Sequence, residues 1–194
     1  MKPIFTIHAG EYLVGEYLEQ RYGAKKGWRI WTPSKDTGID LLVTSADCRK
    51  TFSIQVKFSK SFPQSFECVA SGWWLLKYNA IQNSKADCWV FVLPAWPRNT
   101  DEKNATKALN VDDCSFVVIE PKELLRRLNE IHPNVKKGGE YNVYLTKIGK
   151  DVLETREIGR GVEENITKVQ KDKDQPRNFT VFADNWKALE KALK

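Results

Sequence analysis

Residues 37–58 read TGIDLLVTSADCRKTFSIQVKF. IDLLVT (39–44) is a β-branched and apolar run, ADCRK (46–50) is turn-like, and TFSIQVKF (51–58) alternates. Two such runs around a short polar break predict a β-hairpin. Gln55 and Lys57 are two apart on the second strand, so their side chains leave the same face. Asp40 stands at the start of the first strand, just after Gly38. The hairpin can bring its carboxylate beside that face. A glutamine and a lysine inside an otherwise apolar strand are costly without partners. A carboxylate, an amide oxygen and an ammonium meeting at one point make a site for a hard cation such as Mg²⁺. Asp40 would hold the ion. The Gln55 oxygen and the Val56 backbone carbonyl would complete the protein's share of the shell. Lys57 would orient the attacking water and stabilise developing negative charge. The plain structural alternative stays open: Asp40 as a turn cap and Lys57 as a surface charge.

Outward from the hairpin, 9–22 (AGEYLVGEYLEQRY) predicts a helix ended by Gly23, and 28–34 a short strand ending near Pro33. Downstream, 73–84 (WWLLKYNAIQNS) reads as a helix and 88–94 (CWVFVLP) as a buried strand. Residues 98–110 read as a polar loop and CSFVVIE (114–120) as another strand. Pro121 then starts a helix over 122–131, which His132-Pro133 stops. NVYLTK (142–147) reads as a strand and 154–178 as a long charged loop. FTVFAD (179–184) and a helix over 185–193 close the chain. This order predicts an α/β fold with a mixed central sheet flanked by helices. At 194 residues the chain suits one domain.

No run of about 18 apolar residues is present, so no membrane span is expected. The first residues lack the apolar centre of a signal peptide, which predicts a cytoplasmic protein. Cys48, Cys68, Cys88 and Cys114 are widely spaced, with only His8 and His132 beside them. That pattern suits buried reduced thiols rather than a zinc site. The net charge of +6 is concentrated toward the two ends of the chain and favours a phosphate-bearing partner. Of the seven tryptophans, Trp28, Trp31, Trp73, Trp74 and Trp89 suit core packing, with base stacking as the alternative. The stretch 154–178 reads as a solvated loop, with a DNA-contacting arm as its alternative.

From His8 to about Lys60 the chain resembles the PD-(D/E)xK nuclease superfamily of restriction endonucleases and Holliday-junction resolvases, in a QxK form. AGEYLVGEYLEQRYG (9–23) is similar to that family's first helix. TPSKDTGIDLLV (32–43) is similar to its turn and Asp strand, and FSIQVKFSK (52–60) to its catalytic strand. The resemblance implies a restriction endonuclease-like core over about 8–133, with 134–194 as an elaboration. It implies that Glu11 contacts the metal or its water, that Asp40 is the metal ligand and that Lys57 is the motif lysine. Gln55 stands where many members carry Glu or Asp, which removes one negative charge. Pro33 is not adjacent to Asp40, so the literal PD dipeptide is absent. Lys35, Ser59 and Lys60 would touch the nucleic-acid backbone. Glu16, about 140° around the helix from Glu11, and Asp36, a turn residue, are left out of the site. The activity implied is Mg²⁺-dependent hydrolysis of DNA phosphodiesters, duplex or branched, in restriction, defence or repair. Mn²⁺ can substitute, and no small-molecule cofactor is needed. A homodimer would supply the two sites that cutting both strands requires. Two alternatives stand beside it: a nucleic-acid-binding module that keeps the fold without the chemistry, and a nuclease acting on RNA.

Overall fold

The computed structural model describes residues 3–34, 37–59, 69–95, 110–135, 137–158 and 163–194. Helix α1 (Pro3–Leu18) widens into a π turn at Glu19–Gly23 and ends in α2 (Ala24–Lys26). Strands β1 (Arg29–Trp31), β2 (Leu41–Thr44) and β3 (Thr51–Phe58) follow, then β4 (Ala70–Lys77) and α3 (Tyr78–Gln82). The chain continues through β5 (Cys88–Pro94), β6 (Cys114–Ile119), α4 (Pro121–Ile131), β7 (Glu140–Ile148) and β8 (Asp151–Glu154). It closes with α5 (Glu163–Lys171) and α6 (Lys187–Ala192).

The hairpin forms at the expected place. β2 and β3 pair antiparallel, with Leu41 opposite Ile54 and Thr44 opposite Thr51. The turn between them is tied by Ser45 N donating to Lys50 O at 3.0 Å and Ser45 Oγ donating to Asp47 Oδ1 at 2.6 Å. β3 becomes the centre of a five-stranded sheet of order β1-β2-β3-β5-β6. The β3–β5 pair is parallel and the other three pairs are antiparallel, so the sheet is mixed. A parallel neighbour needs a crossover. Here it runs through β4 and α3, and β4 belongs to a second sheet of order β4-β7-β8.

Two cores result. On one face of the large sheet, Leu13, Val14 and Leu18 of α1 pack with Leu41, Val43, Ile54, Val56 and Val90. Trp186, Leu189 and Leu193 from the C-terminal end join them. Between the sheets, Trp74 and Leu76 of β4 meet Phe91, Leu93 and Val117, with Tyr141, Val143 and Leu145 of β7 and Leu124 and Leu128 of α4. β5 serves both cores, which explains its unbroken apolar sequence: Val90 and Val92 face one, Phe91 and Leu93 the other.

α1 seats on β3 at Gly10. A Cβ there would lie 2.4 Å from Phe58 Cβ and 3.3 Å from Val56 Cγ1, too close for the helix to stay in place. Gly10→Ala is therefore expected to lower stability by about 1–3 kcal/mol, the usual cost of overpacking. A melting curve like the parent's would show that α1 does not approach β3 this closely.

The sequence reading needs several corrections. Residues 73–77 lie in β4, not in a helix, and only Tyr78–Gln82 are helical. Trp74 and Leu76 are buried while Trp73 and Leu75 are exposed, a period of two. The first helix ends at Gly27 (φ 67°), where Gly27 N donates to Gly23 O at 2.9 Å, rather than at Gly23. The stretch 154–178 contains α5, whose Ile166 and Val169 pack on Leu153. A helix-only flank is also too simple, because the second sheet covers part of the large one. Cys48 is exposed, not buried. Cys88 is buried and Cys114 half-buried, and desolvation pushes both thiols up. Cys68 and most of the 98–110 loop lie outside the described residues. Among the described residues, no helix is long and apolar enough to cross a membrane.

Candidate active site

The site begins where β2 starts. Asp40 N donates to Ile54 O at 2.8 Å, one residue out of step with the Leu41–Ile54 register, so the chain departs from the regular ladder just before β2. The Asp40 carboxylate nevertheless reaches the Gln55 side chain. Gln55 Nε2 donates to Asp40 Oδ2 at 2.6 Å, and Val56 N donates to the same oxygen at 2.6 Å. Two short donors to a single carboxylate oxygen leave Asp40 fixed in position. Ile54 offers its backbone toward β2, and Val56, two residues on, does the same. The Val56 carbonyl therefore lies along that same edge.

Gly38 completes the approach. Its φ of 79° favours glycine, and a Cβ there would stand 3.6 Å from Gln55 Oε1. The backbone of the 37–40 turn thus passes close to the Gln55 amide, which is itself buried.

Lys57 shares the face of Gln55. Its Nζ lies 5.1 Å from the centre of the Trp89 ring. Trp89 is the register partner of Gln55 across β3–β5, whereas Lys57 is level with Phe91. The ammonium therefore leans back along the strand toward the level of Gln55. Trp89 is a site neighbour that the sequence suggests for core packing, with base stacking as the alternative, and not for a place beside Lys57. It is buried and also belongs to the inter-sheet core. Its place under Lys57 depends on a parallel pairing between segments more than 30 residues apart, which no local pattern reveals.

Glu11 comes from the other side. α1 covers the face bearing Ile54 and Val56, opposite to the Asp40–Gln55–Lys57 face. Glu11 is half-buried and lines a groove of about 600 Å³ with Tyr12, Glu16, Ile30, Thr32 and Leu41, next to Asp40 in sequence. Glu16 lines the same groove. Ser59 is half-buried, and its Oγ accepts a hydrogen bond from Trp73 N at 3.2 Å. Lys35 and Lys60, the expected backbone-contacting lysines, and Asp36 lie outside the described residues. Trp28 is buried and stacked on Tyr22 at 4.7 Å, while Trp31 is exposed with Nε1 donating to Thr44 Oγ1 at 3.1 Å.

The donor set is one carboxylate, one amide oxygen and one backbone carbonyl. All are hard oxygens, which suit Mg²⁺ and do not suit zinc. Among the described residues there is no cluster of three or more His, Cys, Asp and Glu placed to hold a metal. A thin protein shell of this kind fits Mg²⁺, which keeps several of its waters. Comparison of the chain with protein-family models, with curated proteins and with solved structures gives no match.

Proposed function

We propose that the chain is a Mg²⁺-dependent endonuclease of the PD-(D/E)xK type that hydrolyses DNA phosphodiester bonds. The observation that carries this reading is the Asp40–Gln55 contact with Lys57 two residues along the same strand face. A mixed sheet with α1 against one face is compatible with a restriction endonuclease-like core. The net charge of +6 suits a phosphate-bearing substrate.

Asp40, the Gln55 amide oxygen and the Val56 carbonyl would hold the ion. The bound ion supplies Lewis acidity at the scissile phosphate and a more acidic water. Lys57 orients the attacking water and offsets the charge that develops on the phosphate oxygens. Trp89, under Lys57, restricts where the ammonium can go. The water's oxygen bonds to phosphorus as the P–O bond to the leaving strand breaks, with no covalent enzyme intermediate.

A second reading has one observation in its favour. Gln55 presents its N–H, not its oxygen, to Asp40, and this pair is satisfied without a metal. A binding module that keeps the fold without the chemistry would hold such a pair. Parallel digestion of duplex, single-stranded and branched DNA and of tRNA, with Mg²⁺, Mn²⁺ or EDTA, separates the readings. Metal-dependent DNA cleavage is expected. Cleavage of tRNA alone would move the activity to RNA, and no cleavage with any metal would leave the binding module.

A further inference from the structure

We propose that the nucleic acid at this site has an unpaired strand, which crosses the outer face of the second sheet with one base stacked on the Trp73 indole. The inference rests on the nuclease reading for the site it extends and adds the substrate class: a strand that is single-stranded beside the scissile bond.

Position comes first. Among the described residues β4 is an edge strand of the second sheet, and it touches the chain just past β3. Trp73 N donates to Ser59 Oγ at 3.2 Å, and Ser59 is two residues beyond Lys57. Trp73 is thereby tied to the residue just past the strand that carries Lys57.

Its side chain turns outward. Trp74 and Leu76 fill the inter-sheet core, while Trp73 and Leu75 remain 42% and 53% exposed. Among the described residues, α5 packs on the outer face through Ile166 and Val169, against Leu153 of β8 with Ile148 of β7 beside it. The indole is nonetheless held in place. Nε1 donates to Asn142 Oδ1 at 2.5 Å, and the Tyr144 ring lies 6.2 Å away, tilted by 37°. An aromatic fixed by its edge and open on its surface loses little entropy when a flat partner stacks on it.

Charge and backbone chemistry choose the partner. Lys77 lies on the same outward row as Trp73 and Leu75, and Arg156 NH1 donates to Asn142 O at 3.4 Å. Arg156 thus reaches the same Asn142 that holds the indole, and Lys77 lies four residues along β4 from Trp73 on the same face. Of the nearby acids, Glu140 stands opposite Lys77, Glu157 pairs with Arg177 at 3.6 Å, and Glu154 is buried against Arg177. A second copy adding its own strand to β4 is the competing occupant. It would need the edge N–H of Trp73, which Ser59 already takes. Bases inside a duplex are stacked on each other and cannot offer a face to an indole, so the strand is unpaired.

The test measures binding in EDTA, where cleavage does not interfere. Fluorescence anisotropy compares a short single-stranded DNA oligonucleotide with its duplex on the full chain. Trp73→Ala is expected to weaken single-strand binding about tenfold or more and to leave duplex binding unchanged, while Trp73→Phe keeps most of it. A scan with an abasic nucleotide gives a readout that does not depend on altering the protein. One position should lose affinity in the parent and be silent in Trp73→Ala. Equal single-strand affinity for parent and Trp73→Ala, or a flat abasic scan, overturns the inference. A change in oligomeric state on Trp73→Ala without loss of oligonucleotide affinity also overturns it, assigning the face to a second copy. If the Trp73 dependence holds but no metal supports cleavage, the nuclease reading alone falls. If duplex is cut and Trp73 is indifferent, this inference alone falls.

Discussion

Arg177→Ala is expected to lower stability by about 3–5 kcal/mol above neutral pH, the cost of leaving a buried charge without its partner. Glu154, at the end of β8, is 0% exposed. Its carboxylate accepts from Arg177 Nη1, and also from Tyr144 N at 3.3 Å and Arg156 N at 3.2 Å. Arg177 Nη1 also donates to Arg156 O at 2.8 Å. The pair thus pins the chain leaving β8 and the segment that carries Arg156. Burial raises the Glu154 carboxyl to about 7, against the lowering effect of Arg177. A raised acid binds its proton more tightly in the folded state than in the unfolded one. Its contribution is therefore full below the unfolded value of 4.5 and is lost as pH rises toward about 7. Removing Arg177 should cost more at about pH 8.5, where the carboxyl is charged, than at about pH 5, where it is protonated. Glu154→Gln should flatten the parent's loss of stability over that interval. Chemical denaturation of the three proteins at both pH values checks this. An equal Arg177→Ala penalty at the two pH values would show that the arginine acts by packing and not by charge.

The parts of the fold that local spacing determines were legible in the sequence. The β2–β3 hairpin needs only alternation and a short polar turn, and its register follows from them. That Asp40 and Gln55 meet was legible for the same reason, because Asp40 stands at the entry to the hairpin whose second strand carries Gln55, although the exact contact is a side-chain hydrogen bond outside the regular ladder. β4 was misread because WWLLKYN has apolar residues enough for a helix face. Its alternation acquires meaning only against β7, about 70 residues away, where Trp73 meets Tyr144 and Leu75 meets Asn142. α5 was missed because Ile166 and Val169 are its only buried side chains among the described residues. One turn of apolar contact suffices there because Leu153 is already waiting on the sheet. The lean of Lys57 over Trp89 was hidden for the same nonlocal reason as β4. The side chains that face each other belong to strands paired across a crossover.

Gln55→Ala is expected to reduce DNA cleavage by at least about tenfold to a hundredfold, while Gln55→Glu should preserve it. Gln55 is a buried amide whose nitrogen contacts Asp40, with its oxygen turned toward Gly38. If that oxygen is a ligand, glutamate supplies an oxygen at the same reach and restores the negative charge that a QxK site lacks. Metal affinity should then rise for Gln55→Glu and fall for Gln55→Ala, with partial rescue of the alanine variant at high Mn²⁺. The range quoted is that typical of losing a partner around a metal. Lys57→Ala should separate from both. It removes the group that acts on the water and the developing charge, so the cleavage rate falls while metal binding stays close to the parent's. Isothermal titration with Mg²⁺ and Mn²⁺, beside cleavage rates, distinguishes the two kinds of loss. Gln55→Ala also takes a donor from Asp40, so an unchanged melting transition must accompany the measurement. Should Gln55→Ala cleave as well as the parent, the amide is no ligand. The Asp40–Gln55 pair would then be a structural hydrogen bond, and the binding-module reading would take precedence over the nuclease.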